Sequence, residues 1–437
     1  MSNDNEIVKF KSLNDNHKSI AWDMQPHAHK WDNMTHLPDS VNKGRHERVK
    51  QVMDKNNLDH LFIGHPANQR YIGHADARAV PDADYSLMYL ADKNIDLTMV
   101  SLGSAESYPC EDPRFPWIKE NIGVCNIADY YAQPEEWSAR LAALFNKRGV
   151  KRIGLDQISA EVLFKLQKLC PDVEFVGVGK DLFDCHRKLF PEEVVLMEEA
   201  ARICSGAISY AAKQFTNGMR DIDIAADACW WAHKHGAERV NHYLTFTSGE
   251  APGGNWSSLD YLLRSGRRLN WGDIFVFDFG VVSRGGYWAD AGKTVFAGDP
   301  GERVKDAWRQ YVQIQHELAN SIKPGWLASD VYRENWKLLQ KPGIFTKQVY
   351  SGHGAGLYGR MAPGLAPADH PDYTSNYIDY ELEVGMILCV EALTTVKDGR
   401  GRDVYFLLEE IAVVEENGLR KLTRHDYPFV SWDDVTF

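Results

Sequence analysis

The sequence predicts an α+β protein: an α/β domain followed by a larger domain in which helix pairs pack on a curved antiparallel sheet. Three observations carry this. Short apolar strands alternate with helical stretches between residues 43 and 185, the pattern of a three-layer α/β domain. Two segments after Pro191 then repeat apolar residues at helical spacing. Finally, two apolar hairpins, at 272–298 and 384–414, each carry a pair of carboxylates on their strands. The expected division is an extension over 1–42, a first domain over 43–185 and a second over 186–437.

Composition narrows the function classes. A chain of 437 residues with 44% hydrophobic and 25% charged residues is an ordinary globular one with room for two or three domains. A formal net charge of −12 argues against nucleic acid or an anionic membrane as the main partner. The seven cysteines are scattered, odd in number and without a CxxC pair, so no disulfide framework is expected. The first residues contain no apolar leader core, and no run is long enough to span a bilayer. The expected location is cytoplasmic.

In chain order, residues 1–42 are polar and hold Trp22, Trp31, His27, His29 and His36. No carboxylates accompany these histidines at useful spacing. The arm is therefore expected to pack its aromatics on the body or on a partner subunit, not to bind metal. Lys43 to Asn56 reads as a basic amphipathic helix whose basic residues form a solvated face. Strands follow at 58–63, 86–90, 95–102 and 152–155, with helices at 135–147 and 160–169. Asp76, Arg78 and Asp82 lie in a polar loop of ordinary loop composition that could reach a neighbouring active site.

The domain boundary falls near 183–191. Pro191-Glu192-Glu193 opens a helix with Pro and acids in its first turn, and Asn217-Gly218 closes it. A second helix runs from Asp221 to His235-Gly236, with His233 and His235 as C-terminal cations. A strand at 243–247 leads into a glycine-rich loop at 248–258 that matches no phosphate-binding pattern. Helices at 304–321 and 326–339 complete the second pair.

The chemistry lies in the hairpins. Asp278 and Asp290 average to position 284, inside the turn Ser283-Arg284-Gly285-Gly286. A reversal there would put them nearly opposite, roughly 5 Å apart at Cβ. Glu391 and Glu409 average to 400, the middle of the turn 398–402. Like charges on apolar strands repel and lose hydration, and a cation between them relieves both costs. A glycine-flanked histidine, His353, lies between the hairpins in what reads as a loop. Two Asp, two Glu and one His suit one or two divalent ions such as Mn, Fe, Co or Zn.

The order Asp278, Asp290, His353, Glu391, Glu409 comes with further patterns: D-x-G before a GY-x-x-D hairpin, then GHG, then L-E-E ahead of V-x-E-x-G. Together these resemble the pita-bread metallohydrolases, among them methionine aminopeptidase, aminopeptidase P, prolidase, creatinase and a dimethylsulfoniopropionate lyase. The likeness runs from about Lys43 to the C-terminus and implies a creatinase-like N-terminal domain before a pita-bread domain. It implies that Asp278 serves an outer ion, Asp290 and Glu409 bridge two ions, and His353 and Glu391 complete the inner site. Glu391 would take the proton of the attacking water, with His353 as the other catalytic residue. It further implies a homodimer whose N-terminal domain contributes to the neighbour's site.

Departures refine this. Peptidases of the family carry a histidine where this chain has Asn255, Trp256 and Ser257, and a second one where Arg360 stands. The lyase's extra aspartate and catalytic aspartate fall on Gly280 and Gly359. Creatinase works without metal. The expected function is thus hydrolysis of an amide or peptide C–N bond by two divalent ions. The substrate would be small and carboxylate-bearing, gripped by Arg360 and walled by Trp256 and Tyr358. The alternatives are a non-hydrolytic lyase of the same fold and a binding protein without turnover.

Overall fold

The computed structural model describes residues 37–73, 87–102, 115–125, 133–248, 268–367, 378–401 and 403–423. The histidines of the N-terminal arm, the loop with Asp76, Arg78 and Asp82, and Asn255, Trp256 and Ser257 lie outside the described residues.

The first half comprises α1 (Asp39–Lys55), β1 (His60–Ile63), α2 (Pro66–Gly73), β2 (Leu87–Asp92), β3 (Leu97–Leu102) and β4 (Ile118–Cys125). It continues with α3 (Pro134–Arg148), β5 (Arg152–Leu155), α4 (Ala160–Leu169), β6 (Glu174–Gly177) and α5 (Gly179–Cys185). Its sheet has the order β4-β3-β2-β1-β5-β6. Alternation along β1 sends Phe62 into the cluster of Trp137, Leu141 and Phe145, and Leu61 and Ile63 into the cluster on the other face. The elements missing from the sequence reading are α2, β4, β6 and α5. The helices and β6 are short, and polar residues break the period of β4, IKENIGVC.

One expectation for α1 is corrected. Arg45 is fully buried instead of solvated: it donates through Nε to Glu193 Oε1 at 3.2 Å and through Nη2 to the Tyr287 hydroxyl at 2.7 Å. Glu193 lies in the second half, so the guanidinium stitches the two halves together.

The second half begins with α6 (Pro191–Lys213), β7 (Met219–Arg220), α7 (Asp221–Lys234), β8 (Arg239–Ser248), β9 (Arg268–Leu269), β10 (Ile274–Val282) and β11 (Trp288–Phe296). Next come α8 (Glu302–Ser321), α9 (Ala328–Gln340), β12 (Phe345–Ala355), β13 (Met361–Gly364) and β14 (Ile387–Lys397). The last strands are β15 (Asp403–Phe406), β16 (Glu409–Glu415) and β17 (Gly418–Lys421). The helix boundaries lie close to those expected, but His235 is not a cation. Its ring stacks on Trp231 at 3.7 Å, its Nδ1 pairs with the Trp231 carbonyl at 2.7 Å, and burial pushes it below the ordinary histidine range.

Two sheets face the site, one ordered β11-β10-β8 and the other β13-β12-β14-β16-β17 with β15 also on β14. The alanine-rich face of α6 lies close to the first, where the Cys204 thiol donates to the Phe279 carbonyl. Helix α8 backs the second through the Tyr311 hydroxyl, which donates to the Ala392 carbonyl at 2.7 Å. The sheets join at Leu407 and Leu408, which interrupt the pairing with β14 between β15 and β16: Leu408 bridges Lys293, and Thr294 N–H donates to the Leu407 carbonyl at 2.9 Å. This detour ends at Glu409 and brings that residue beside β11.

Candidate metal centre

Every residue of β10 is buried, so Asp278 is a carboxylate inside a hydrophobic strand. Its partner in β11 is not Asp290. Val282 pairs with Trp288, which centres the reversal on 285, one residue later than the sequence midpoint. Gly285 and Gly286 permit this by adopting φ of 77° and 86°, conformations open to glycine at little cost. As a result Asp278 faces Gly292 and Asp290 faces Gly280. The aspartates are diagonal neighbours on one face, each opposite a residue without a side chain.

Both gaps are filled from other strands. At Gly280, which also pairs with His242 of β8, a Cβ would lie 2.3 Å from His242 Cε1. At Gly292, a Cβ would lie 2.5 Å from Leu407 Cδ2 and 3.1 Å from Glu409 Oε2. The glycines thus admit an imidazole on one side and a glutamate on the other.

The second hairpin has the expected register, with Glu391 directly opposite Glu409. His353 is not in a loop but within β12, paired with Cys389, two residues before Glu391 on β14. Its flanking glycines are needed for strand approach: a Cβ at Gly352 would lie 1.9 Å from the Cys389 carbonyl oxygen, and one at Gly354 2.5 Å from that of Ala362. Both carboxylates of the Glu409-Glu410 pair are buried, on opposite faces. Glu410 pairs with Lys293 at 2.8 Å, while Glu409 faces the histidine.

Distances divide the site into two groups around Asp290. Its Oδ1 lies 3.0 Å from His242 Nε2, which is also 3.4 Å from Asp278 Oδ1. Its Oδ2 lies 3.6 Å from His353 Nε2, which is 3.7 Å from Glu391 Oε1 and 3.9 Å from Glu409 Oε1. His353 Nδ1 donates to the Gly354 carbonyl at 2.9 Å, which leaves Nε2 as the ring atom turned to the carboxylates, and those carboxylates raise the ring above the ordinary histidine range against its burial.

The electrostatics are those of a centre rich in negative charge. Burial, reinforced by the neighbouring carboxylates, holds Glu409 well above and Asp278 above the usual carboxylate range. Burial likewise pushes Glu391 up to about 8, against the opposing pull of His353. For Asp290 burial is outweighed by His242 and His353, which hold it below that range. Burial works against a charge on His242, yet Asp290 and Asp278 raise it to about 10. Both oxygens of Glu409 are buried with no hydrogen-bond partner among the described residues. Buried carboxylate oxygens without donors, beside imidazole nitrogens, fit hard or borderline divalent ions.

The remaining expected residues lie around this centre. Arg360 is exposed and close enough to Glu391 and Glu409 to lower both. Tyr358 is 42% exposed and packs edge-on against Trp288, 5.9 Å between centroids. Both rings line a cleft of about 290 Å³ between the halves, with His65 and Arg70 on its other wall. Trp288 also covers Gly359, where a Cβ would lie 2.0 Å from the indole Cε3. The sequence reading missed His242 and Trp288. The alternation Val240, His242, Leu244, Phe246 would have extended β8 far enough to include the histidine, and only its pairing with β10 aims it at Asp290.

Residues 195–418 match Metallopeptidase family M24, and residues 45–186 match the Creatinase/Prolidase N-terminal domain. An Xaa-Pro dipeptidase of Pyrococcus furiosus is 22% identical over 389 residues, covering 87% of this chain and 98% of that protein. The dimethylsulfoniopropionate lyase DddP of Roseobacter denitrificans is 28% identical over 298 residues, covering 64% of this chain and 61% of the lyase. Among solved structures, the prolidase of Pyrococcus horikoshii OT3 superposes with a TM-score of 0.67 at 20% identity, over 88% of this chain and 99% of its own.

Proposed function

Because the chain belongs to metallopeptidase family M24, we propose that it is a dinuclear metal-dependent hydrolase of a C–N bond in a small, carboxylate-bearing amide or peptide. The observation that carries this reading is Asp290, whose two oxygens face two separate groups of ligand-type atoms. Asp278, Asp290, His353, Glu391 and Glu409 would hold the ions, which supply Lewis acidity toward a carbonyl and activation of water near neutral pH.

The chain's own groups do the rest. Glu391, the most accessible of these five side chains at 12% exposure, can accept a proton as a carboxylate and pass it to the leaving nitrogen. The bond from His353 Nδ1 to Gly354 keeps that ring oriented. Arg360, at the exposed side of the glutamate pair, can grip a substrate carboxylate. Tyr358 and Trp288 form an aromatic wall that limits the length of what enters. The lyase alternative is weakened by packing: the positions where the lyase resemblance calls for aspartates are Gly280 and Gly359, filled by His242 and Trp288. The fold also makes a homodimer part of this proposal, and sedimentation at micromolar concentration tests it.

The deciding experiment loads the stripped protein with Mn(II) or Co(II) and compares compact acid-bearing amides, sulfonium compounds and ordinary Xaa-Pro dipeptides. Turnover of the acid-bearing amides is expected, with Arg360→Ala raising KM more than it lowers kcat. Xaa-Pro hydrolysis at kcat/KM of about 10⁴ M⁻¹s⁻¹ or more would overturn the small-substrate reading in favour of a dipeptidase. Elimination from a sulfonium substrate would overturn hydrolysis itself.

A further inference from the structure

We propose that His242 is a sixth protein ligand of the metal centre, binding through Nε2 the ion held by Asp278 and Asp290. This rests on the metal-dependent reading above and adds a residue to the ligand set that the family resemblance implies.

Three features of the structure converge on it. The first is spacing. Nitrogen and oxygen ligands about 2.1 Å from a shared ion lie roughly 3.0 Å apart in an octahedron and roughly 3.4 Å apart in a tetrahedron. His242 Nε2 lies 3.0 Å from Asp290 Oδ1 and 3.4 Å from Asp278 Oδ1. These are the spacings of atoms around a common cation, and the three groups lie on adjacent strands of one rigid sheet.

The second is the space itself. Gly280 pairs with His242 on one side and Asp290 on the other, and any side chain there would overlap the imidazole. The indole of Trp288 closes the remaining flank: a Cβ at Gly280 would also lie 2.8 Å from its Nε1. The ring is held in position between a glycine and a tryptophan, as a pre-organised ligand should be.

The third is the inequality of the two groups. Glu391, Glu409, His353 and Asp290 Oδ2 crowd one side. Without His242 the other side has, among the described residues, only Asp278 and Asp290 Oδ1 close together. An imidazole there gives each group one nitrogen donor.

The plain alternative is an imidazolium that neutralises two aspartates without touching a metal. X-ray absorption on stripped protein reloaded with Co(II) separates the two. Two imidazoles per protein are expected in the wild type and one in His242→Ala, with Co(II) affinity at one of two sites reduced by at least about 10-fold. Gly280→Ala, which keeps the histidine but displaces its ring, should reproduce both changes. Circular dichroism confirms that each variant folds. Two bound Co(II) ions with one imidazole in the wild type, or unchanged affinity at both sites in His242→Ala, would overturn the assignment and leave the metal centre standing. A wild-type protein that binds no Co(II) would overturn the metal centre and this ligand with it.

Discussion

Among the described residues, the buried charges at the junction of the halves and those at the hairpins are built on opposite plans. At the junction of the halves, Arg45 meets Glu193, and the Tyr287 hydroxyl donates to Glu193 Oε1 at 2.8 Å. Glu193 Oε2 accepts the Phe190 N–H at 2.7 Å, and Arg45 Nη1 donates to the Tyr71 carbonyl at 3.3 Å. One positive and one negative charge cancel, and their hydrogen-bonding groups find donors and acceptors within the chain. At the hairpins, four buried carboxylates face two imidazoles, and Glu409 accepts no hydrogen bond among the described residues. Both clusters are taken out of water, and each buried ion adds its own desolvation cost. The first recovers that cost from its own groups, whereas the second, with four carboxylates to two imidazoles, keeps an excess of negative charge that a bound cation would offset. A buried cluster that balances itself is a joint; one that does not is a binding site.

Substitutions should separate the two plans. The largest effect is expected from Asp290→Asn, which removes the charge shared by both ligand groups. Most of the metal should be lost by elemental analysis, and turnover should fall by about 1000-fold or more, about 4 kcal/mol in the barrier. Full occupancy and activity would break the contrast by making the hairpin cluster a second structural joint. At the junction, Arg45→Ala should leave metal content per folded molecule unchanged. It should destabilise the protein by about 3 kcal/mol, because Glu193 is left buried without its counter-ion. Urea unfolding of the metal-loaded variant measures this, and a neutral result would show that the halves do not depend on the pair. Glu391→Gln should fold and, in steady-state assays at saturating metal, lose turnover by about 100-fold or more if the carboxyl relays protons; an unchanged rate there would assign the relay to another group.

Smaller effects sharpen the comparison in the metal-free protein. Glu391 at about 8 and His242 at about 10 both lie above their unfolded values. The folded state therefore binds more protons than the unfolded one, Glu391 contributing between about pH 4.5 and 8 and His242 between about pH 6.5 and 10. Their stabilisation is complete below those windows and is lost as pH rises through them, by at most about 1.4 kcal/mol per pH unit for each group. Asp290 has the opposite sign, and its contribution fades only as pH falls below about 4. The urea midpoint of EDTA-treated protein should thus fall from pH 5 to pH 8 and flatten when metal is restored. Lastly, Glu409→Gln should stabilise the metal-free protein by about 1 kcal/mol at pH 8, by removing the cost of keeping that carboxyl neutral. The gain should vanish below about pH 4, where the unfolded chain protonates the glutamate as well. An unchanged midpoint at pH 8 would mean that Glu409 is not strained by its neighbours.

Local pattern carried much of this protein. Helical period and terminal residues placed α6 and α7, Pro191 at one helix start and Gly236 beyond the other's end, because capping depends on a few adjacent residues. The hairpins at 272–298 and 384–414 were legible because apolar strands around a turn pair with what lies next to them. In the second, even the facing of Glu391 and Glu409 followed from the turn midpoint. The first slipped by one residue, because Gly285 and Gly286 lengthen the turn in conformations that a midpoint does not encode. Arg45 and His353 were misplaced for a related reason. A basic residue on a helix and a histidine between glycines look local, yet Glu193 and Cys389, far away in the chain, decide where each goes.

The sequence by itself determined the kinds of donor atoms, their order along the chain and the strands that carry most of them. Those are properties of residue type and short-range period. Only the tertiary structure decided that β8 lies beside β10, so that His242 enters the gap at Gly280, and that the pairing with β14 breaks at Leu407 and Leu408, bringing Glu409 to the gap at Gly292. Such contacts form between segments that share no local signal, because a glycine reveals only that space is left and not which distant side chain will fill it.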